Sequence, residues 1–393
     1  MAHSEETKNI GLRGITIADT MISHVDGKEG KLLYRGFTIQ DLAKDATFEE
    51  VIYLLLMGTP PNQQQLADLS AQMASSRQLT DENIAMLRAR AKSATPMDVL
   101  QGAVTGLADD DPFLNSEDRQ EVSASCLRLI SRLGLVAAAW QRLRSGQEPV
   151  TPSPDQSSAA AFLEALWGRK ATPGEERLMD LLLVLHAEHS FNASTFSVRQ
   201  VASTQANLYA SVSAGVGALS GALHGGANAK VMAMLLDIGE QDRVESWIED
   251  RLQAGGRIMG LGHAVYHTED PRAAILRKTA EEVLKDRPEE KWFRLALEVE
   301  KIGRAMLLEK KNQDRYANVD FYASPVLHGI GFPIDMFPVF FAVSRVSGWC
   351  AHYLEERFAE AQPKPALYRP SANYTGKDCG PNDCVWTPIN QRT

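Results

Sequence analysis

The sequence predicts a mainly α-helical protein: a large helical domain interrupted by a smaller inserted helical domain, with a small β element at the N-terminus. Three observations carry this. Apolar residues recur at helical spacing between recognisable caps through much of the chain. Strand-and-turn signals gather at the opening. A highly charged helical section over residues 235–315 stands between two apolar ones, as expected where a surface-rich domain is inserted into a larger one.

In chain order, "GITIADTMISHV" and "KLLYRG" flank Asp26-Gly27, a turn signal, and predict the β element. Thr47 and Glu50 form a capping box before "VIYLLLM", which stops at Gly58 with Pro60 and Pro61 beyond it. Helical spacing continues in "PNQQQLADLSAQMASS", "SEDRQEVSASCLRLISRLGLVAAAWQRLRS" and "AAFLEALWG". The three prolines of "SGQEPVTPSPDQSS" predict a surface loop. From Gln200 to Ala229 no residue is charged, yet Ser203, Thr204, Gln205, Asn207, Ser211 and Ser213 make the run too polar for a lipid-spanning helix. Its "ASVSAGVGALSGAL" leaves little side chain between helix axes and suits close packing, across a subunit boundary or within one chain. "RVESWIEDRLQ" and "LRKTAEEVLKD" are charged helices, and "FYASPVLHGIGFPIDMFPVFFAVSRVSGWCAHYLEE" returns to an apolar core.

Composition narrows the function. The 393 residues are 44% hydrophobic and carry 41 basic against 50 acidic side chains, a net charge of −9. A nucleic-acid partner is not expected, and an anionic ligand would need a local gathering of positive charge. Four cysteines are sparse for this length and suit a reducing compartment. Cys379 and Cys384 in "KDCGPNDC" do not complete a zinc site and read as a polar turn. The opening "MAHSEETKNIGLRG" resembles neither a secretory signal nor a transit peptide, so a soluble cytoplasmic protein is expected, with no membrane partner.

The stretch with most chemistry is "GLGHAVYHTEDPR", residues 260–272. It lacks the third glycine of a dinucleotide fingerprint and the Gly-Lys-Ser/Thr of a phosphate loop. Of the nine histidines, His186 and His189 stand three apart around Glu188, where a zincin helix needs four, so no metal is expected. His224 in "GALHGGANAK" and His263 both sit beside glycine, which lets backbone or ligand approach the ring; each alone reads more readily as a satisfied buried histidine. Asp320 in "YANVDFYASP" has a partly apolar setting in which desolvation would raise its basicity, though an N-cap or a surface ion pair fits it as well.

"LHGGANAKV", "GLGHAVYHTEDPRA", "NVDFYASPVLHGIGFPIDMFPVFFAVSRVSGW" and "YRPSANYTG", in this order, resemble the citrate synthase family. "LHAEHSFNASTFSVRQVAST" and "LLYRGFTIQDLA" extend the similarity over most of the chain. It resembles the shorter bacterial and archaeal branch, which includes 2-methylcitrate synthases. The resemblance implies a citrate-synthase-like fold, with a large domain of residues 1–221 and 326–393 and a small domain of 222–325 that closes over the substrates. It implies His224, His263 and Asp320 as the catalytic triad for condensing acetyl-CoA with oxaloacetate and water to citrate and CoA. Arg272, Arg345 and Arg369 would hold the oxaloacetate carboxylates, assisted by His189, with Arg369 supplied by the neighbouring subunit of a homodimer. The 257–267 segment would lie along CoA, with Arg257, His267, Lys311 and Arg315 as its binding residues; CoA thioester is a co-substrate and no permanent cofactor is implied.

Two positions depart from the family pattern. Ala264-Val265-Tyr266-His267 stands where many bacterial relatives have Arg-Val-Tyr-Lys, so His267 replaces a cation that helps bind CoA. Lys230 stands where an acidic residue is common. A propionyl-CoA-using 2-methylcitrate synthase is the near alternative, since one methylene is worth only about 1–3 kcal/mol of discrimination. A catalytically silent CoA-binding homologue is the alternative of a different class, against which the retention of all six charged and titratable site residues argues.

Overall fold

A computed structural model describes residues 10–12, 14–376 and 386–392. The turn expected at Cys379 and Cys384 lies outside the described residues. Strands β1 (Ser23–Asp26), β2 (Lys31–Tyr34) and β3 (Phe37–Thr38) form one antiparallel sheet, with Ser23 opposite Tyr34 and Asp26 opposite Lys31. The turn is Gly27–Gly30, held by Asp26 Oδ1, which accepts the Lys28 and Glu29 amides at 2.9 and 3.1 Å. The β element is shorter than "GITIADTMISHV" suggests. Only its last residues pair, because β2 has four residues and the chain then bends away through Arg35 and Gly36, both at positive φ. Ile15, Ile17 and Met21 are left exposed.

Helices α1 (Ile39–Asp45), α2 (Phe48–Met57), α3 (Gln63–Ser76), α4 (Asp81–Arg88), α5 (Pro96–Gly106), α6 (Arg119–Arg144), α7 (Ser158–Trp167), α8 (Pro173–His186), α9 (Ala193–Ala202) and α10 (Leu208–Ser220) follow. The Thr47–Glu50 capping box and the left-handed Gly58 stop of α2 are both present. The proline-rich segment between α6 and α7 is a loop. By length and composition α6 could cross a membrane, but 89% of its apolar window is buried in protein, as befits a core helix.

The last long helix, α16 (Phe337–Arg357), is the axis of this group, packing on α2, α6, α8, α9 and α10. Nearly all of its residues are buried, polar ones included. Within the chain, the small residues of α10 let it pack on α5, α9 and α16. A side chain at Gly215 would press on Val198 and the Trp349 ring, at 2.6 and 3.3 Å.

Residues 227–329, which include the charged section, form α11 (Ala227–Ile238), α12 (Val244–Gln253), α13 (Pro271–Val283), α14 (Glu290–Lys311) and α15 (Val319–Gly329). These pack mainly on one another, α15 against α11, α13 and α14 and α12 against α14. Helix α13 also meets α1 and α8, and α11 meets α16. The loops after α10, before α13 and before α15 therefore face the buried ends of α8 and α16.

Candidate active site

The segment before α13 and the segment before α15 are strapped together. Leu261 and Ala317 form a β-bridge, the Gly262 amide donates to Tyr316 O at 2.7 Å and the Asn318 amide to Gly260 O at 2.9 Å. Asn318 Nδ2 adds a bond to Gly262 O at 2.9 Å. Gly260 has φ 79° and a Cβ there would meet Phe321 and Val231 at 2.7 and 2.8 Å, so the strap requires glycine. This joins His263 to the start of the helix that carries Asp320.

Asp320 occupies the first turn of α15, behind the Asn318 cap. Its carboxylate has no hydrogen-bond partner among the described residues and keeps only a partial opening to solvent. Burial, helped by the negative Asp270, pushes its pKa from 3.8 up to about 6, while Arg272 and Arg345 pull the other way. Asp270 shows the opposite outcome in the same neighbourhood. Burial raises its carboxyl, but the Arg272 fork (Nε to Oδ1 3.0 Å, Nη2 to Oδ2 2.8 Å) outweighs burial and holds it ionised below the ordinary value. Asp270 also caps α13 and accepts the Val319 amide at 3.2 Å, so one carboxylate locks Arg272 to the Asp320 helix. Two buried aspartates thus diverge: one is a fixed anion and the other a poised base.

Two histidines share the field of the same arginines as Asp320, His224 that of Arg345 and His263 that of Arg272. His224 lies in the turn after α10, and its Nε2 accepts the Ser194 amide at 3.2 Å from the first turn of α9, with Ser194 Oγ at 2.8 Å. That assignment leaves the proton on Nδ1. Burial and the field of Arg345 lower its pKa to about 4; the positive end of α9 acts in the same sense. His263 is the mirror case. Its Nδ1 accepts the Val265 and Tyr266 amides at 3.0 and 3.1 Å, so the proton sits on Nε2. Burial and Arg272 bring it to about 4. Both rings are neutral N–H donors at pH 7.

His189 is buried, its ring centroid 5.3 Å from that of His263 and its Nε2 3.3 Å from the Tyr266 hydroxyl. Burial, Arg272, His263 and Arg345 together hold it well below the ordinary histidine value. Arg345, on α16, is 1% exposed, donates Nε to His186 O at 2.8 Å and lies over the Phe341 ring. Its Nη2 is buried without a partner. Burial lowers this guanidinium to about 10, a sign that the cation lacks a full counterion. Mutual electrostatic influence ties His189, His224, His263 and Asp320 to the buried pair Arg272 and Arg345, and Arg345 Nη2 is left without a hydrogen-bond partner among the described residues.

The remaining expectations fare differently. Arg369 lies beyond α16, exposed and unpaired among the described residues, and no contact of this chain ties it to the cleft. Arg257, His267 and Lys311 are exposed. Arg315 is exposed too, but its stem passes 3.4 Å from where a Gly262 side chain would begin, so it borders the His263 loop. Lys230 donates to Ala222 O at 3.1 Å and so braces the turn that presents His224.

Sequence reasoning missed the support beneath the cleft. Glu188 accepts from Ser23 Oγ at 2.8 Å and meets His352 Nε2 at 3.0 Å; Arg199 reaches His352 Nδ1 at 3.0 Å and Glu355 at 2.6 Å. Burial raises Glu188, yet His352, Arg345 and Ser23 leave it ionised. The signals for Asp270 and Ser194 were local, an Asp before Pro271 and an "NAST" helix start, both readable as caps. Gly348 is part of the same support, because a Cβ would strike the Ala187 carbonyl and Glu188 Oε2. Gly348→Ala is expected to cost about 1–3 kcal/mol or more by overpacking, which urea unfolding measures.

The family model described as "Citrate synthase, C-terminal domain" matches residues 11–371. The chain belongs to the citrate synthase family. It is an enzyme of that acyl-transferring type. Citrate synthase of Haloferax volcanii is 37% identical over 388 residues, covering 97% of this chain and 98% of the relative. 2-Methylcitrate synthase 1 of Corynebacterium glutamicum is 35% identical over 390 residues, covering 98% of each. The ternary complex of Thermoplasma acidophilum citrate synthase with carboxymethyl coenzyme A and oxaloacetate superposes with a TM-score of 0.88 at 31% identity, covering 98% of this chain and all of that one.

Proposed function

We propose that this chain condenses acetyl-CoA with oxaloacetate and water, giving citrate and CoA. The observation that carries the reading is the coexistence of an unpaired, basic Asp320, two neutral histidine N–H donors and a buried arginine whose Nη2 has no hydrogen-bond partner among the described residues. Arg272 and Arg345, with His189, hold the oxaloacetate carboxylates by paired N–H bonds. Asp320 takes a proton from the acetyl methyl while His224 Nδ1–H donates to the thioester oxygen. This hydrogen bond matters because each unit of pKa mismatch between carbon acid and base costs ~1.4 kcal/mol. The enol carbon attacks the oxaloacetate ketone, and His263 Nε2–H protonates the new alkoxide. Water then hydrolyses the citryl-CoA thioester. A preorganised neutral donor pair costs no reorganisation as charge develops on the two oxygens.

Exposed Leu223 and Val265, beside His224 and His263, offer apolar surface for the CoA arm, and Arg315 borders the same loop. Arg257, His267 and Lys311 belong to the same CoA reading. The exposure of Arg369 supports a homodimer in which it completes a neighbour's cleft. Residues 222–325 act as the domain that closes and excludes water. The reading needs no resident cofactor. The buried free thiols Cys126 and Cys350 favour a reducing, cytoplasmic setting.

Release of free CoA, followed by thiol titration with oxaloacetate and either acetyl-CoA or propionyl-CoA, tests the acyl assignment. Higher kcat/KM with acetyl-CoA is expected; higher kcat/KM with propionyl-CoA would assign a 2-methylcitrate synthase instead, and silence with both a non-catalytic homologue. The pH dependence follows from the same groups. Asp320 must be ionised and both histidines, at about 4, stay neutral. Log kcat/KM is therefore expected to climb with unit slope up to about pH 6 and to level above it.

A further inference from the structure

We propose that the N-terminal hairpin is the seat that fixes His263, with Gly27 and Gly30 as positioning residues for a reaction centre more than 230 positions away in sequence. This rests on the assignment of His263 to the reaction. The turn Gly27–Gly30 lies directly against residues 265–269. Gly27 O accepts the His267 amide at 2.8 Å, and a Cβ on Gly27 would run into the Val265 carbonyl. A Cβ on Gly30 would stand 2.8 Å from Thr268 Oγ1 and 3.2 Å from Glu269 O. Both glycines of "DGKEG" thus give the loop its place.

The loop segment they seat is the one that sets the His263 ring. Val265 and Tyr266 supply the two amides that His263 Nδ1 accepts, so a shift of the Val265 peptide moves the ring and frees its tautomer. The same sheet grips the other side of the cleft. Ser23 Oγ donates to Glu188 and accepts the Ser190 amide at 3.1 Å, and the Tyr34 hydroxyl donates to Glu188 O at 2.9 Å. His189 lies between those two anchors. One sheet therefore sets the separation of two histidine-bearing segments, whose rings stand 5.3 Å apart. A fixed Asp26 carboxylate holds the turn itself.

Gly27 does not have a positive φ, so Gly27→Ala adds a collision without backbone strain of its own. Misplacing a reacting group by about 1 Å costs on the order of 10²-fold. Gly27→Ala is expected to lower kcat roughly 10–100-fold, to change KM for oxaloacetate far less, and to lower the melting temperature, because the new Cβ meets the Val265 backbone. Lys28→Ala, an exposed side chain in the same turn, is expected to keep wild-type rates. Gly30→Ala carries strain of its own, having φ 63°, so a rescue pair separates the causes. Adding Thr268→Ala removes the atom 2.8 Å from the new Cβ and is expected to restore much of the lost kcat. Wild-type kcat in Gly27→Ala would overturn the proposal, as would a Gly30→Ala, Thr268→Ala double variant no faster than Gly30→Ala. The Gly30 pair decides alone should Gly27→Ala fail to fold. A wild-type protein that releases no CoA would instead overturn the assignment of His263 on which the proposal rests.

Discussion

Asp320→Asn is expected to lower turnover by about 10²–10⁴-fold, leave oxaloacetate binding largely intact, and raise the melting temperature. The first effect follows because the substitution removes the proposed base, a carboxylate without a hydrogen-bond partner among the described residues. The second follows because oxaloacetate is held by Arg272, Arg345 and His189, with the Asp270–Arg272 lock untouched. The third follows from linkage. The folded protein holds the Asp320 proton more tightly than the unfolded chain, so its contribution to stability is complete below about pH 3.8 and lost as the pH rises through about 6. At neutral pH the ionised carboxylate therefore costs up to about 3 kcal/mol, which a neutral amide does not. Steady-state kinetics, calorimetric titration with oxaloacetate and thermal melts at pH 5 and pH 8 measure the three. The melting gain should be the larger at pH 8. A slow and less stable Asn variant would mean that Asp320 supports the fold and is not the base.

Arg345→Met is expected to raise KM for oxaloacetate about 10²–10³-fold, in line with the 2–5 kcal/mol lost when one partner of a buried charge pair is removed. The guanidinium is fully buried, committed to His186 O through Nε, stacked on Phe341 and left with Nη2 unpartnered. A bound carboxylate would supply the missing acceptor. Arg345→Lys is not expected to rescue binding, because an ammonium cannot make the paired planar contact and would not reach over the Phe341 ring in the same way. Glu188 keeps Ser23 and His352 in the Met variant, so the fold should persist. Calorimetric titration with oxaloacetate reads the binding loss directly, and retained affinity would remove Arg345 from the substrate site.

The parts of this architecture legible in the sequence are those whose physics is local. Thr47 and Glu50 announce the start of α2 and Gly58 its end, because caps are made by residues within one turn. His224, His263 and Asp320 have glycines or an aromatic pair beside them, but each alone also reads as structural, and their grouping as a triad is what the resemblance to the citrate synthase family implies. The uncharged run was ambiguous between an interface and an interior; within one chain α5, α9 and α16 cover much of it. The opening strand was over-read because its pairing length is set by β2, not by its own apolar residues. The chain of Ser23, Glu188, His352, Arg199 and Glu355 was invisible, since its links join residues more than 150 positions apart. No periodicity or spacing signals a buried ion network of that kind. Nor does any local pattern show that Asp270 holds Arg272 and the Asp320 helix at once.

The most direct test of the account is CoA release from acetyl-CoA carrying either a CH₃ or a CD₃ acyl group, measured with and without oxaloacetate at pH 7.5. Proton removal from the methyl by Asp320, in a cleft completed by oxaloacetate, predicts release only when oxaloacetate is present and slower release from the deuterated thioester. Release that proceeds equally well without oxaloacetate would show simple thioester hydrolysis and contradict the condensation mechanism.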